Sequence, residues 1–223
     1  MPEILEIELY RRLADTVVGR RVEAVEANDS WYLKGATTAT ALDEVLRGAM
    51  LTGTRRIGKL LLLDTDRDHV LGLRFGMTGR LLVGGDAAIR QLEYSSQRDE
   101  PAWDRFVLHL DGGIDFRIRD PRRLGGVELD PDVGRLGVDA LGITPGQLAA
   151  VLGRSTSPVK ACLLDQSKVA GIGNLLVDEM LWRAGTDPAR SAVSLQPSEV
   201  KRLHRHLRWT LTELLERGGS HTG

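Results

Sequence analysis

Cysteine is almost missing from this chain: Cys162 is the single one in 223 residues. A lone thiol excludes an internal disulfide and any zinc cage built from several thiolates. Excess charge is missing as well. With a formal net charge of -1, the chain does not advertise itself as a binder of polyanions, so any basic surface has to be local and balanced by acid elsewhere. No apolar run reaches the length of a membrane span, and the N-terminus lacks the basic-then-apolar order of a signal segment. Internal repeats and low-complexity tracts are absent too. These absences lead us to expect a soluble cytoplasmic protein.

What is present is a hydrophobic fraction of 42%, enough for real cores, in a length that suits two modest domains or one large one. A first helix is expected from Pro2 to a stop at Gly19, with Leu5, Leu9, Leu13 and Val17 as its apolar stripe. Short strands are expected at Lys59–Asp64, His69–Phe75 and Arg80–Val83, followed by a hairpin turning at Asp111-Gly112-Gly113. In its second arm Ile114, Phe116 and Ile118 alternate with Asp115, Arg117 and Arg119, which predicts one buried and one wet face. Short antiparallel pieces of this kind suggest a sandwich. The polar segment from Gly84 to Pro101 reads as a long, mobile connection.

Near Asp132 the texture changes, and a domain boundary is placed there: 1–131 and 132–223. Helix starts are announced by Thr144-Pro145, Ser157-Pro158 and Pro197-Ser198. The last helix carries Val200, Leu203, Leu207, Leu211 and Leu214 on one face and ends at Gly218-Gly219.

Five stretches could carry chemistry. In MPEILEIE, removal of Met1 would leave Pro2 with a free secondary amine, a nucleophile for an aldehyde-type carbon, with Glu3 beside it and Glu6 one turn on. The same residues also make an ordinary helix start. In RRIGK, Lys59 opens a strand and offers an ammonium to a phosphate, or is simply a solvated strand end. In LRFGMTG, Gly76 and Gly79 tighten a turn with Met77 at its tip, either a wedge between base steps or a core residue. RIRDPRRLGG crowds Arg117, Arg119, Arg122 and Arg123 around Asp120-Pro121, either for base-edge readout or as a charged exposed turn. LLDQSKVAGIGNLLVDEMLWRAG reads as helix, glycine turn, helix. Gly171 and Gly173 let backbone N–H groups approach an anion there, and Asn174 adds a side-chain donor.

Together, in order and spacing from Met1 to about Gly219, these stretches resemble the formamidopyrimidine-DNA glycosylase and endonuclease VIII family of base-excision repair enzymes. The resemblance implies an α+β architecture: an N-terminal antiparallel β-sandwich flanked by the first helix, then a helical domain with a helix-two-turn-helix motif. Damaged double-stranded DNA would lie between them, bound by a monomer. It implies that Pro2 is the nucleophile, Glu3 the general acid/base, Glu6 a second carboxylate close by and Lys59 the strand lysine beside lesion and phosphate. It also implies DNA contacts by Arg74, Met77, Arg122, Leu124, Lys160 and Asn174, with Met77 filling the void and Arg122 facing the orphaned base. Glu179 fits the family's helix pattern.

Leu5 stands where the family usually has proline, Arg74 replaces a common histidine, and Leu124 replaces an aromatic wedge. The implied chemistry is a Schiff base on Pro2 followed by β- and δ-elimination, needing no metal or redox cofactor. Oxidised purines such as 8-oxoguanine and formamidopyrimidines lead as substrates. The family's four-cysteine zinc finger, which follows a stretch like Gly218-Gly219-Ser220, is absent from a chain ending at Gly223. One structural zinc is expected only if the natural protein continues, and as it stands the chain is expected to fold but to excise bases poorly. The alternative is a catalytically silent damage-binding protein on the same scaffold.

Overall fold

The computed structural model describes residues 2–89, 96, 98 and 100–219. Met1, residues 90–95, 97 and 99 of the connection expected after Gly84, and the tail Ser220–Gly223 lie outside the described residues. Backbone packing divides the chain into two units: Pro2 with Glu6–Asp132, and Glu3–Leu5 with the chain from Val133 onward.

Helix α1 (Ile4–Asp15) stops short of Gly19. Thr16, Val17 and Val18 each bond the carbonyl three residues back, and the Thr16 hydroxyl also takes Leu13 O, so the last turn tightens and ends. Its apolar face differs from the expected stripe. Ile7, Tyr10, Ala14 and Val17 are the fully buried positions in the sandwich core, with Leu9 and Leu13 only partly covered, whereas Ile4 and Leu5 belong to the core of the helical unit.

The first unit continues through β1 (Val22–Glu26), α2 (Ala39–Leu46), β2 (Leu51–Ile57), β3 (Leu60–Thr65), β4 (Val70–Arg74), β5 (Arg80–Val83), β6 (Asp86–Ala87), β7 (Asp104–Leu110), β8 (Ile114–Arg119) and β9 (Gly126–Leu129). The strands form a five-stranded sheet in the order β1-β7-β8-β5-β6 and a four-stranded sheet in the order β2-β3-β4-β9, antiparallel throughout. Leu61, Leu63, Leu71 and Leu73 of the smaller sheet share one core with Phe106, Leu108, Phe116 and Ile118 of the larger. Each fully buried side chain of this size contributes about 1.5–3 kcal/mol. The β7–β8 hairpin turns over Asp111–Gly113 as expected, with φ of +77° and +72° at the two glycines. Its polar face is not uniformly wet. Arg119 is buried and donates from Nε to Asp104 at 2.6 Å, while Arg117 stays half-exposed beside Asp115. The connection after Gly84 opens on a strand, since Ala87 pairs with Leu82.

The second unit holds β10 (Val138–Asp139), α3 (Pro145–Leu152), α4 (Val159–Leu164), β11 (Val169–Ala170), α5 (Asn174–Ala184) and α6 (Pro197–Glu216). Thr144 caps α3 in a reciprocal capping box with Gln147, as its sequence signature predicts. Val200, Leu203, Leu207 and Leu211 of α6 are buried against Leu176, Val177 and Met180 of α5 within one core, with Leu214 at its edge. The short parallel pair β10–β11 gave no periodic signal, being two residues long on each side.

Candidate functional site

In the helical unit the glycine turn before α5 holds an anion, and that anion belongs to the chain itself. The Glu3 carboxylate, 2% exposed, accepts hydrogen bonds from the backbone N–H groups of Gly173 (3.0 Å), Leu175 (2.9 Å) and Leu176 (3.2 Å). These are donors that an α-helix leaves without intrahelical partners at its start, and the helix dipole favours negative charge there. The two glycines make room for this approach. A Cβ on Gly173 would fall 2.3 Å from the Glu3 carboxyl carbon, and one on Gly171, at φ +110°, would fall 2.5 Å from Ile4 Cδ1. The anion that the N–H groups of this turn were expected to approach is Glu3 for Gly173, whereas the Gly171 N–H goes to Gln166.

Gln166, which sequence reasoning passed over, organises the same turn. Its amide donates to Leu164 O and Ile172 O and accepts from Gly171 N at 2.9 Å. Asn174, the first residue of α5, is exposed beside it. Lys160 on α4 places Nζ 2.7 Å from Asp178 of α5, so its charge is already partnered. Asp178 is the second residue that sequence reasoning missed. Glu179 pairs with Arg183 rather than with the turn.

In the sandwich unit Pro2 and Glu6 are buried. Lys59 sits with Gly58 in the two-residue turn joining β2 to β3, one position before the strand it was expected to open. Arg74 at the end of β4 donates to Glu128 at 2.6 Å. The positive charge read as available for phosphate thus has a carboxylate partner on β9.

Met77, Arg122 and Leu124 are brought together by one buried carboxylate. Asp120 is fully buried and accepts from the Thr78 hydroxyl (2.5 Å), Arg122 N (3.2 Å) and Gly125 N (2.8 Å). Thr78 follows Met77, so this bond ties the methionine turn to the arginine loop. The turn fits closely: a Cβ on Gly76 would meet the Leu124 carbonyl carbon at 2.5 Å. Arg123 adopts φ +56°, an uncommon conformation for a residue with a side chain, and is held there by Asp29 at 2.5 Å. That ion pair, chiefly through its hydrogen bonds, keeps the Asp29 carboxyl below its ordinary range. Arg122 and Leu124 on either side are left exposed. The Tyr32 hydroxyl is enclosed beneath this loop, and burial followed by the Asp120 charge pushes its pKa up. The arrangement presents a partly exposed methionine, an arginine and a leucine on one braced pair of loops. An apolar wedge beside a planar donor suits the probing of an opened base stack.

For a metal the residues offer little. Among the described residues no three His, Cys, Asp or Glu side chains gather as a binding group, and Cys162 is buried in the helical core. No described helix is long and apolar enough to cross a membrane.

Comparison with known proteins accords with this geometry. Residues 1–127 match the formamidopyrimidine-DNA glycosylase N-terminal domain, and residues 136–223 match the formamidopyrimidine-DNA glycosylase H2TH domain. The formamidopyrimidine-DNA glycosylase of Paracoccus denitrificans is 37% identical over 99% of this chain and 80% of its own length. That of Symbiobacterium thermophilum is 38% identical over 99% of this chain and 72% of its own. Among solved structures, a complex of Lactococcus lactis Fpg with DNA containing an abasic site superposes with a TM-score of 0.83 at 25% identity, over 98% of this chain and 80% of that one. A complex of the same protein with DNA containing FAPY-dG gives 0.82 at 25% identity, covering 98% and 82%.

Proposed function

The chain belongs to the formamidopyrimidine-DNA glycosylase family, and from that premise we propose that it is a base-excision repair glycosylase and AP lyase. Its substrates in this reading are oxidised purines and formamidopyrimidines in duplex DNA, and it works as a monomer in the cytoplasm. The observation that carries the proposal is the Glu3 carboxylate seated on the start of α5, one residue from the proline whose nitrogen would do the chemistry.

A base inside a duplex is out of reach, so the nucleotide is first turned out of the stack at a cost of a few kcal/mol, offset by side chains entering the gap. Met77 and Leu124 fill that role, and Arg122 faces the unpaired partner base. With Met1 removed, the Pro2 nitrogen attacks C1′ of the sugar, and the bond from C1′ to the base breaks as the base leaves as an anion that takes a proton from water. Three N–H donors and the helix dipole stabilise Glu3 as an anion. In that charged form it accepts the Pro2 proton and then donates that proton to the ring oxygen as the sugar opens. The resulting iminium acidifies the C2′ proton, and its loss expels the 3′ phosphate. Loss of a further proton expels the 5′ phosphate. Lys59 and Arg74 stabilise phosphate charge near the lesion, Glu6 acts as a second carboxylate, and Lys160 with Asn174 holds the strand through unit two. A structural zinc enters the proposal only for a longer natural chain, because the residues present do not supply its ligands.

The test is borohydride trapping on DNA with an abasic site, combined with peptide mapping. An adduct at residue 2 is expected. An adduct at Lys59 or any other lysine, or none with Met1 removed, would overturn the assignment.

A further inference from the structure

Although the chain is nearly neutral overall, the stretch Val200–Thr212 contains no Asp or Glu and carries Lys201, Arg202, Arg205 and Arg208. All four are exposed on α6, and Lys201, Arg202 and Arg205 form no ion pair with any described residue. Among the described residues, Arg208 is tied through a hydrogen bond to Leu141 O. The helical period places Arg202, Arg205 and Trp209 on neighbouring positions of one face, at i, i+3 and i+7.

Trp209 is 54% exposed in the midst of this charge, an uncommon position for so large an apolar surface. One face of its ring is covered: the Arg183 guanidinium lies 4.3 Å from the ring centroid. Arg183 is itself clamped, donating to Glu179 at 2.5 Å and to Glu213 at 2.6 Å. Two carboxylates therefore fix a guanidinium, the guanidinium backs an indole, and the remaining surface of the indole is open. His206 on the same helix is packed near Trp209 at 6.1 Å, and its buried Nδ1 has no hydrogen-bond partner among the described residues. Burial first, and then the positive charges of Arg205, Arg183 and Arg202, depress its pKa.

This surface is separate from the Glu3 turn. Arg183, which backs the tryptophan, stands on α5 nine residues from Asn174, about 14 Å of helix from the turn. A rigid aromatic platform flanked by exposed arginines that form no ion pair among the described residues is the chemistry of single-strand binding, in which bases stack without regard to sequence and phosphates meet the cations. An acidic protein segment would use the arginines and leave the backed indole without a purpose.

We propose that the exposed face of α6 is a second nucleic-acid contact that takes a single strand, with a base on Trp209 and phosphates on Arg202 and Arg205.

The experiment measures binding of fluorescent oligo(dT) to the full chain over a salt series, alone and with an excess of a short duplex carrying a reduced abasic site. Trp209→Ala should weaken oligo(dT) binding at least about fivefold, and Trp209→Phe should retain most of it. Arg202→Ala with Arg205→Ala should lower the salt slope by about 1.4, from about 0.7 for each phosphate contact on a single strand. Cleavage of a second short duplex with an unreduced abasic site should be unchanged in all three variants, which also checks folding. Failure of that cleavage in the unmodified chain would count against the proposed catalytic function and leave the oligo(dT) comparison readable. The inference is overturned if the variants bind oligo(dT) like the unmodified chain, or if the short duplex displaces it fully. It is equally overturned if Trp209→Ala has no effect while a poly-glutamate peptide binds through the two arginines.

Discussion

The carboxylate of Glu3 and the backbone N–H of Gly173, 170 residues apart in the chain, are joined by a 3.0 Å hydrogen bond. Through it the residue beside the proposed nucleophile becomes the cap of α5. Position and charge of Glu3 are thus set by a helix start rather than by neighbours in sequence. Glu3→Gln keeps an acceptor but loses the charge, so it should cost about 0.5–2 kcal/mol in thermal or denaturant unfolding. It should abolish base excision far more than cleavage at a preformed abasic site, where the sugar is already open and needs less acid catalysis. Equal loss on both substrates would assign Glu3 to folding or binding alone.

Gly173→Ala should reproduce much of that defect without touching a charged group. The added Cβ would sit 2.3 Å from the Glu3 carboxyl carbon, so the carboxylate must leave its three donors. Parallel excision assays of Gly173→Ala and Glu3→Gln check this, and wild-type excision by the alanine variant would contradict it.

Thr78→Val removes the hydroxyl that donates to buried Asp120 and unties the Met77 turn from the Arg122 loop. A hydrogen bond to a buried carboxylate is worth about 1.5–3 kcal/mol, and stability should fall by that order. Discrimination between opposite bases should degrade while trapping on abasic DNA persists, as kcat/KM ratios over a panel of duplexes would reveal. Unaltered ratios would mean the two loops keep their placement without this bond.

Lys160→Ala should weaken binding to damaged and undamaged duplex alike and lower the salt slope by about 1. Because Asp178 already neutralises this lysine at 2.7 Å, Asp178→Asn should tighten binding at low salt. Affinity measured from low to physiological salt separates the two, and a tighter Lys160→Ala variant would assign the lysine to folding instead of DNA.

His109 bridges Glu26 at 2.8 Å and Asp115 at 2.7 Å, and these bonds, Glu26 first, raise its pKa above the ordinary imidazole range despite partial burial. The folded state therefore holds the proton more tightly than the unfolded state. The stabilisation is complete below the unfolded value near 6.5 and disappears as pH rises through the folded value. The melting temperature should fall over that window, and His109→Gln should flatten the fall. An unchanged slope in the variant would place the dependence on other groups.

The sequence by itself determined the features that act over a few residues. The Thr144 capping box, the α6 stripe, the glycine hairpin at Asp111–Gly113 and the inward set Ile114, Phe116 and Ile118 all follow from local periodicity and turn chemistry. It did not disclose β1, α2, β2 or β9; β2, for example, alternates weakly because Thr52, Thr54, Arg55 and Arg56 leave few apolar marks. Nor did it distinguish Arg119 from Arg117, since both share one alternation and only sheet position buries the first against Asp104.

The tertiary structure alone decided which charges are spoken for. Arg74 meets Glu128 across 54 residues and Lys160 meets Asp178 across 18, distances over which no periodicity carries information. It also decided that the first helix would serve two cores, Ile4 and Leu5 in one and Ile7 onward in the other. A repeat of four residues names a face, but what covers that face depends on the chain returning from far away. The physical reason is the same for Glu3: its charge was legible at position 3, whereas the helix start that holds it exists only after residues 173–176 have folded against it.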